Sequence, residues 1–275
     1  MTLFFKIRRS SLAWSLAIVF AGACAQAQSG TREYQPQVGQ EGKDVIWVPT
    51  PQALVEKMLD IGAATPKDYL IDLGSGDGRT VITAAKRGIR ALGIEYNADM
   101  VELSKRNAAK AGVSKLATFV QADLFESDLS KATVITMFLL PDINIRLRPK
   151  LLDLKPGTRI VSNSFTMGDW KEDDVVKVTD GCASYCTAYL WIVPAKVEGT
   201  WRLDGGELTL KQSYQMISGS LTHGGKTFEL ANGKLKGNQI VFNAGGSVYH
   251  GVVNGSSIAG TISSGGSWNA TRTDQ

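Results

Sequence analysis

The chain has 275 residues, 43% hydrophobic and 20% charged, which is room for one large domain or a medium domain with a small companion. That composition excludes a disordered or collagen-like chain. The formal net charge is +4, but Lys6, Arg8 and Arg9 supply three of those charges within an acid-free stretch at 1–27. A basic-surface argument therefore fails, and no nucleic acid partner is expected.

Residues 1–27 have the layout of a secretory signal peptide: a basic start, an apolar run over 12–23, and the small residues Ala25-Gln26-Ala27. The run is shorter than the ~20 residues of a bilayer-spanning helix. Cys24, preceded by Ala21-Gly22-Ala23, offers lipidation as the alternative. Either route places the rest of the chain in the periplasm or on the envelope. Cysteine usage agrees with export, because the body keeps only Cys182 and Cys186, four apart in a turn-like stretch suited to a small disulfide loop. No metal site is expected, since no further ligand accompanies this pair and His223 and His250 lie far away in sequence.

Residues 28–44 are polar and without periodicity, and read as a linker. A helix starts at Thr50-Pro51, with the hydroxyl as cap and proline at the first helical position, and carries Leu54, Val55, Met58 and Leu59 on one face. Short apolar strands then alternate with amphipathic helices. Strands are predicted over 69–73, 91–95, 117–121, 133–138 and 159–163, and helices over 80–87 and 98–111. A helical stretch interrupted by Pro149 follows the fourth strand. A hairpin of 175–178 and 187–193 ends this region, with the cysteine pair at its turn. The fold class is α/β, a Rossmann-like sheet with helices on both faces, spanning 45–194.

After Pro194 helical periodicity stops. Short alternating runs separated by Gly, Asn and Ser predict a small all-β domain over 195–275, a meander that curls into a barrel. Gly199-Thr200-Trp201 and the Gly-x-Ile/Leu-x-Gly pattern of 255–260 are similar to lipocalin-like modules.

The chemistry-bearing stretch is Asp72-Leu73-Gly74-Ser75-Gly76-Asp77-Gly78, where a strand runs into three glycines two apart and then a helix. Such a turn lets backbone approach a ligand closely. Glu95 ends the second strand, where a carboxylate can accept both ribose hydroxyls, and Asp123 follows the third, placed for an adenine amino group. A nicotinamide site is the rival, but Arg79 stands where the dinucleotide fingerprint needs a small residue. A carboxylate at Asp72 would also repel a pyrophosphate, whereas it suits the ammonium and sulfonium of S-adenosylmethionine (SAM).

Residues 45–194 resemble a class I SAM-dependent methyltransferase domain. Val48-Pro49-Thr50-Pro51, Ile71 to Arg79 and Phe138-Leu139-Leu140-Pro141 are similar to bacterial relatives of the mitochondrial ATP-synthase c-subunit lysine methyltransferases. The resemblance implies a seven-stranded sheet with a reversed last strand, SAM as methyl donor, and a protein lysine as acceptor. It carries Asp72, Gly74, Gly76 and Gly78 over as binders of the methionine end, Glu95 as ribose ligand and Asp123 as adenine ligand. Thr50 and Ser75, inside two of the matching stretches, complete the expected cofactor set.

The acceptor is narrowed by what the domain lacks. It has no histidine for a general base, no Pro-Cys pair for cytosine C5 chemistry, and no Asn/Asp-Pro-Pro-Tyr/Phe signature after the fourth strand. An amine remains, on a protein lysine or a small molecule. Phe138, Leu140 and Pro141 are placed to wall a channel for it, the alternative being Phe138 as core and Pro141 as a helix start; Asp142 either meets an ammonium or compensates the dipole of a starting helix; Asn163, Ser164 and Trp170 border the pocket, with a buried anchor as the alternative for Trp170. No residue is assigned as catalytic base. Arg146, Arg148 and Lys150 read as a solvated helix face, and His223 and His250 as surface residues. The alternative to an enzyme is an exported binding module whose β domain holds an apolar ligand or an envelope component, since SAM is made in the cytoplasm.

Overall fold

Strand β1 (Tyr69–Leu73) has four of its five residues buried, the mark of a strand covered on both faces. In this computed structural model, which describes residues 1–4 and 33–273, β1 pairs in parallel with β2 (Arg90–Glu95) and β4 (Val134–Met137). Strands β3 (Ala117–Gln121) and β5 (Arg159–Asn163) extend the parallel sheet outwards. Strand β7 (Thr187–Ile192) then runs antiparallel to β5, and β6 (Asp174–Lys177) forms the far edge, giving the order β3-β2-β1-β4-β5-β7-β6. The chain leaves β1 in one direction for β2 and β3 and returns to its other side for β4. That reversal opens a crevice at the carboxyl ends of β1 and β4.

Because side chains alternate along a strand, Leu70 and Ile71 face opposite ways. Helices α1 (Gln52–Ile61), α2 (Arg79–Lys86) and α3 (Ala98–Lys110) cover the face that carries Leu70, Ala91, Val134 and Val161. Helix α4 (Pro141–Leu152) covers the other with Ile143, Leu147 and Leu151 against Leu73, Ile135 and Ile160.

Three local expectations are corrected. Thr50 does not cap α1, which starts at Gln52 with no side-chain cap; its buried hydroxyl accepts a hydrogen bond from Asn163 Nδ2 at 3.3 Å. Pro149 does not interrupt α4: it lies on the exposed side, where water can reach the Ile145 carbonyl that its missing N–H leaves over. Arg146, Arg148 and Lys150 are not simply solvated. Arg146 lies 4.1 Å from the Phe125 ring centroid, Lys150 donates to the Phe125 carbonyl at 2.6 Å, and Arg148 donates to the Met167 carbonyl at 2.8 Å while pairing with Asp169. They fasten the loops after β3 and β5 to α4.

The second sheet is made of β8 (Gly199–Leu203), β9 (Gly206–Ser213), β10 (Met216–His223), β11 (Lys226–Glu229), β12 (Ala231–Lys236), β13 (Gln239–Ala244), β14 (Ser247–Asn254), β15 (Ser257–Ile262) and β16 (Ser267–Arg272). It is an antiparallel meander in which β9 pairs with both β8 and β10, so the sheet closes. β11 and β12 follow one another along the same edge of β10, and the Leu230 N–H between them donates to the Gly219 carbonyl at 2.8 Å. The result is an eight-stranded barrel. Trp201, Leu208, Leu210, Phe242, Ile258 and Trp268 fill its interior. Gly251 makes the room: a Cβ there would stand 2.8 Å from the Trp268 ring.

Trp170 lies at the join of the two sheets. It is fully buried, tilts against Trp191 of β7 with ring centroids 6.3 Å apart, and stacks on Tyr214 of the β9–β10 turn at 5.8 Å. Gln215 donates to the Lys171 carbonyl at 2.7 Å beside it, and Lys234 pairs with Asp173 at 3.3 Å. Trp170 is thus an anchor between sheet and barrel, the second of its two sequence readings, and it does not line the cleft. The signal peptide expected over 1–27, with Cys24, lies outside the described residues apart from 1–4; Met1–Glu33 and Tyr34–Gln275 form separate units. Among the described residues no helix is long and apolar enough to cross a membrane.

Trp170→Ala is expected to cost about 3–5 kcal/mol, the usual penalty for emptying a buried tryptophan site. Urea denaturation of the full chain measures it through the transition midpoint, and a midpoint equal to that of the parent protein would remove Trp170 as the anchor.

Candidate active site

The loop after β1 holds Gly74, Gly76 and Gly78 at φ values of 72°, 53° and 82°, the left-handed region that favours glycine. At two of them space is the second requirement. A Cβ on Gly76 would meet the Trp47 indole at 2.6 Å, and one on Gly78 would meet the Phe119 ring at 2.8 Å. The loop is tied down from outside. The N–H groups of Gly74 and Ser75 both donate to the Ile94 carbonyl, Ser104 Oγ donates to the Gly76 carbonyl at 2.8 Å, and Asn107 Nδ2 donates to that of Asp77 at 3.0 Å.

Three acids converge on the crevice. Asp72 is buried at the end of β1 and accepts from Thr136 Oγ1 at 2.6 Å. Burial pushes its carboxyl up to about 7; hydrogen bonds from Thr136 and Thr80 oppose the rise, and the negative charges of Glu95 and Asp77 add to it. Glu95 accepts from the Gly76 N–H at 2.9 Å and from the Asn97 N–H at 3.0 Å, so it braces the glycine loop from β2. Asp123 is the least enclosed. It accepts from the Phe125 N–H at 2.8 Å and pairs with Lys43, whose ammonium holds its carboxyl below the usual range.

Lys43 belongs to a segment that the sequence reads as linker. Residues 39–47 double back on themselves through hydrogen bonds from Gly39 N to the Trp47 carbonyl, Trp47 N to that of Gln40 and Gly42 N to that of Val45. This strap lines the same cleft as Asp72, Gly74, Ser75, Gly76, Glu95 and Asp123, and so does Thr50. Gly78 is not in the lining; its left-handed turn leads into α2 behind the loop. Polar composition over 39–44 hid the first part of the strap, while 45–47 fall in the apolar run Val45-Ile46-Trp47-Val48 that begins the predicted domain.

The far end of the cleft is aromatic. Phe138, Phe165 and Tyr185 group together, with centroids 5.1 Å apart for Phe138–Tyr185, 6.0 Å for Phe138–Phe165 and 6.2 Å for Phe165–Tyr185. Leu140 joins them and is partly open to solvent. Pro141 and Asp142 instead start α4 on the exposed side, and Asn163 is fully buried behind the wall, bonded to Thr50 and to Ser164 Oγ; none of the three lines the cleft. Phe165 and Tyr185 were not anticipated: one lies in a loop past β5, the other inside the cysteine pair's turn. That turn is closed by a Cys182–Cys186 disulfide. Among the described residues no cluster of side chains is arranged to hold a metal ion.

This donor set fits SAM. A buried carboxyl suits a cationic amino acid end, a glycine cradle admits close backbone contact, and two further carboxylates suit ribose and adenine. Sheet order, glycine loop and strand-end acids together define a class I SAM-dependent methyltransferase. Residues 72–174 match the model of the ANTKMT methyltransferase domain. A protein-lysine N-methyltransferase of Saccharolobus islandicus is 44% identical over 152 residues, 54% of this chain and 94% of that protein. The ATP-synthase c-subunit lysine N-methyltransferase of Mus musculus is 38% identical over 105 residues, 38% of this chain and 42% of its own length. Among solved structures, an RNA methyltransferase of Salinibacter ruber in complex with S-adenosyl-L-homocysteine superposes with a TM-score of 0.51 at 45% identity, covering 55% of this chain and 96% of that one. The chain belongs to the methyltransferase family of the archaeal protein-lysine N-methyltransferase, and its cofactor is SAM.

The folded protein keeps the Asp72 proton up to about pH 7, whereas the unfolded chain sheds it near about pH 4. This group therefore stabilises the ligand-free fold in acid, and the contribution is lost as pH rises through 7. Asp72→Asn, a permanent mimic of the protonated form, is expected to raise the melting temperature above that of the parent at alkaline pH and to converge with it in acid. In calorimetry, SAM binding just below neutral pH is expected to release a proton in the parent protein and none in Asp72→Asn. Equal proton release by both would show that Asp72 does not face the cationic end.

Proposed function

We propose that the chain methylates the side-chain nitrogen of a protein lysine, and that it does so outside the cytoplasm. The observation that carries the acceptor assignment is the aromatic end of the cleft, where Phe138, Phe165 and Tyr185 gather beside the carboxyl end of β4. Bound in the cleft, SAM supplies a methyl group on a sulfonium, open to in-line displacement by an amine.

The residues do the rest by positioning. Asp72 would hold the amino group of the methionine end, backbone of the Gly74–Gly76 turn its carboxylate, Glu95 the ribose and Asp123 the adenine. Asp123 must first exchange its partner Lys43 for the base. Phe138, Phe165 and Tyr185 present flat apolar surfaces that accept a methylene stem and exclude water from the nitrogen. An apolar wall also favours the neutral amine, because burial disfavours the charged form. Proton loss to solvent before entry then leaves a competent nucleophile, consistent with a site that needs no dedicated base. Position rather than acid–base chemistry supplies the rate enhancement.

The lysine acceptor is supported by the relatives whose names specify lysine methylation. Incubation of the full chain with labelled SAM and separated protein and RNA fractions of the cell envelope and cytoplasm tests it. Label is expected on lysine of an envelope protein, identified by mass spectrometry; label confined to RNA would overturn the lysine reading.

Export rests on the leader at 1–27 and on the Cys182–Cys186 pair, whose disulfide suits an oxidising compartment. A reporter active only outside the cytoplasm, fused after Gln275, is expected to be active. Activity of a cytoplasm-only reporter at the same position would place the enzyme beside its SAM supply instead.

A further inference from the structure

The three aromatic walls of the cleft are not held in the same way. Phe138 directly follows β4, a strand buried along its whole length. Phe165 follows β5 on backbone that is fixed from below: its carbonyl accepts from Ser162 Oγ at 2.7 Å and from the buried Asn144 Nδ2 at 3.3 Å. Tyr185 has neither support. It lies in the connection between β6 and β7, is 43% exposed, and is the fourth residue of the five-residue loop Cys182-Ala183-Ser184-Tyr185-Cys186.

Its backbone is also in a conformation that a tyrosine does not choose. Tyr185 has φ of 55°, in the left-handed region, which is unfavourable for a residue that carries a Cβ. In a loop this short the cross-link limits the backbone to few alternatives. The Val178 N–H donates to the Cys186 carbonyl at 2.8 Å, so the hairpin is fixed up to that pair and the freedom is confined to 179–185.

We propose that the Cys182–Cys186 disulfide is a redox latch on acceptor binding: oxidised, it holds Tyr185 as the third wall of the acceptor mouth; reduced, it releases that wall and leaves SAM binding intact. The substrate it controls is the apolar stem of the amine acceptor. The latch rests on the lysine reading for the identity of that acceptor, though not for the motion of Tyr185. Its chemistry is a two-electron reduction by a dithiol: the S–S bond breaks, two cysteine thiols form, and the dithiol closes to its own disulfide. The separation of effects follows from position. The groups expected to hold SAM lie on β1, β2, the glycine loop, the turn after β3 and, for Thr50, the segment before α1, and none is part of the 182–186 loop.

The full chain is compared oxidised, treated with dithiothreitol, and as Cys182→Ser/Cys186→Ser, Tyr185→Ala and Tyr185→Phe. With a lysine-containing peptide as acceptor, reduction, the double serine variant and Tyr185→Ala are each expected to raise KM by about tenfold, the scale of one lost aromatic contact. Tyr185→Phe, which keeps the ring, raises KM less than Tyr185→Ala, dithiothreitol has no further effect on the double serine variant, and SAM affinity is unchanged throughout. An unchanged peptide KM on reduction overturns the latch, and so does a loss of SAM affinity equal to the loss of peptide affinity. Hydrogen exchange supplies a readout that needs no turnover: amides of 179–185 are expected to exchange at least about tenfold faster after reduction. Unchanged exchange overturns the latch whatever the acceptor. Absence of any peptide methylation by the oxidised parent, with faster exchange on reduction, would instead sink the lysine reading and leave the latch standing.

Discussion

Glu95 engages backbone with both carboxylate oxygens, Oε2 from the Gly76 N–H and Oε1 from the Asn97 N–H. The importance of this pair comes from what it holds. Three glycines in left-handed conformations lose more backbone entropy on ordering than any other residues and have no side chains with which to anchor themselves. A loop of that kind is a preorganised site only if its neighbours hold it, and Glu95, Ile94, Ser104 and Asn107 do so from β2 and α3. An ionised carboxylate has about four acceptor positions. Two bonds to backbone leave capacity for ribose hydroxyls, so bracing the loop and binding a ligand are compatible in one side chain.

The cleft is therefore built by two methods. Its cofactor half comes from strand ends, where parallel pairing fixes Asp72 and Glu95 in register: Asp72 is paired with Gly93 and Leu73 with Ile94, which sets the two acids at neighbouring levels. Its aromatic end comes from connections, with Phe165 on a loop and Tyr185 in a disulfide ring, while the strap of 39–47 borders the strand-end acids through Lys43 on Asp123 and Trp47 beside Gly76. Strand pairing is rigid and loops are adjustable, and this division is the common one for enzymes whose chemistry is shared while acceptors differ. The pairing of Lys43 with Asp123 fits the same pattern. A surface ion pair of this exposure contributes little to stability, so it can open at small cost.

How much of this was legible follows from the same division. The strands and helices of 69–163 emerge from periodicity within one or two residues, because burial on both faces of β1 and β4 leaves an unambiguous apolar run. Asp72, the glycines, Glu95 and Asp123 were visible because they sit at strand ends, whose positions periodicity fixes. For Pro141, Asp142 and Trp170 the sequence leaves a helix start, a helix-dipole acid and a buried anchor open beside the pocket, and for Asn163 it points to the pocket alone, because sequence gives the end of a strand and not the direction a side chain takes beyond it. Tyr185 and the strap were missed since their positions depend on a cross-link and on long-range pairing, neither of which has a period. Arg146, Arg148 and Lys150 show a related limit: charged side chains on a helix reach carbonyls and rings of loops distant in sequence.

The barrel sharpens what its domain can do. An eight-stranded barrel has an interior just wide enough either to be filled by side chains or to hold one small ligand, and here Trp201, Phe242 and Trp268 lie in that space, with Phe242 stacked on Tyr249 at 4.9 Å and edge-on to Trp268 at 5.6 Å. An apolar ligand would have to displace these rings, each of which contributes large buried area and ring–ring contact. The indoles are also hydrogen-bonded in place, Trp201 Nε1 to the Val197 carbonyl and Trp268 Nε1 to that of His250, both at 2.8 Å. The resemblance to lipocalin-like modules therefore extends to strand arrangement and not to a container. Because Trp170 and Tyr214 bind the barrel to the sheet through buried aromatic contact, the barrel's outer surface is carried at a fixed orientation to the cleft.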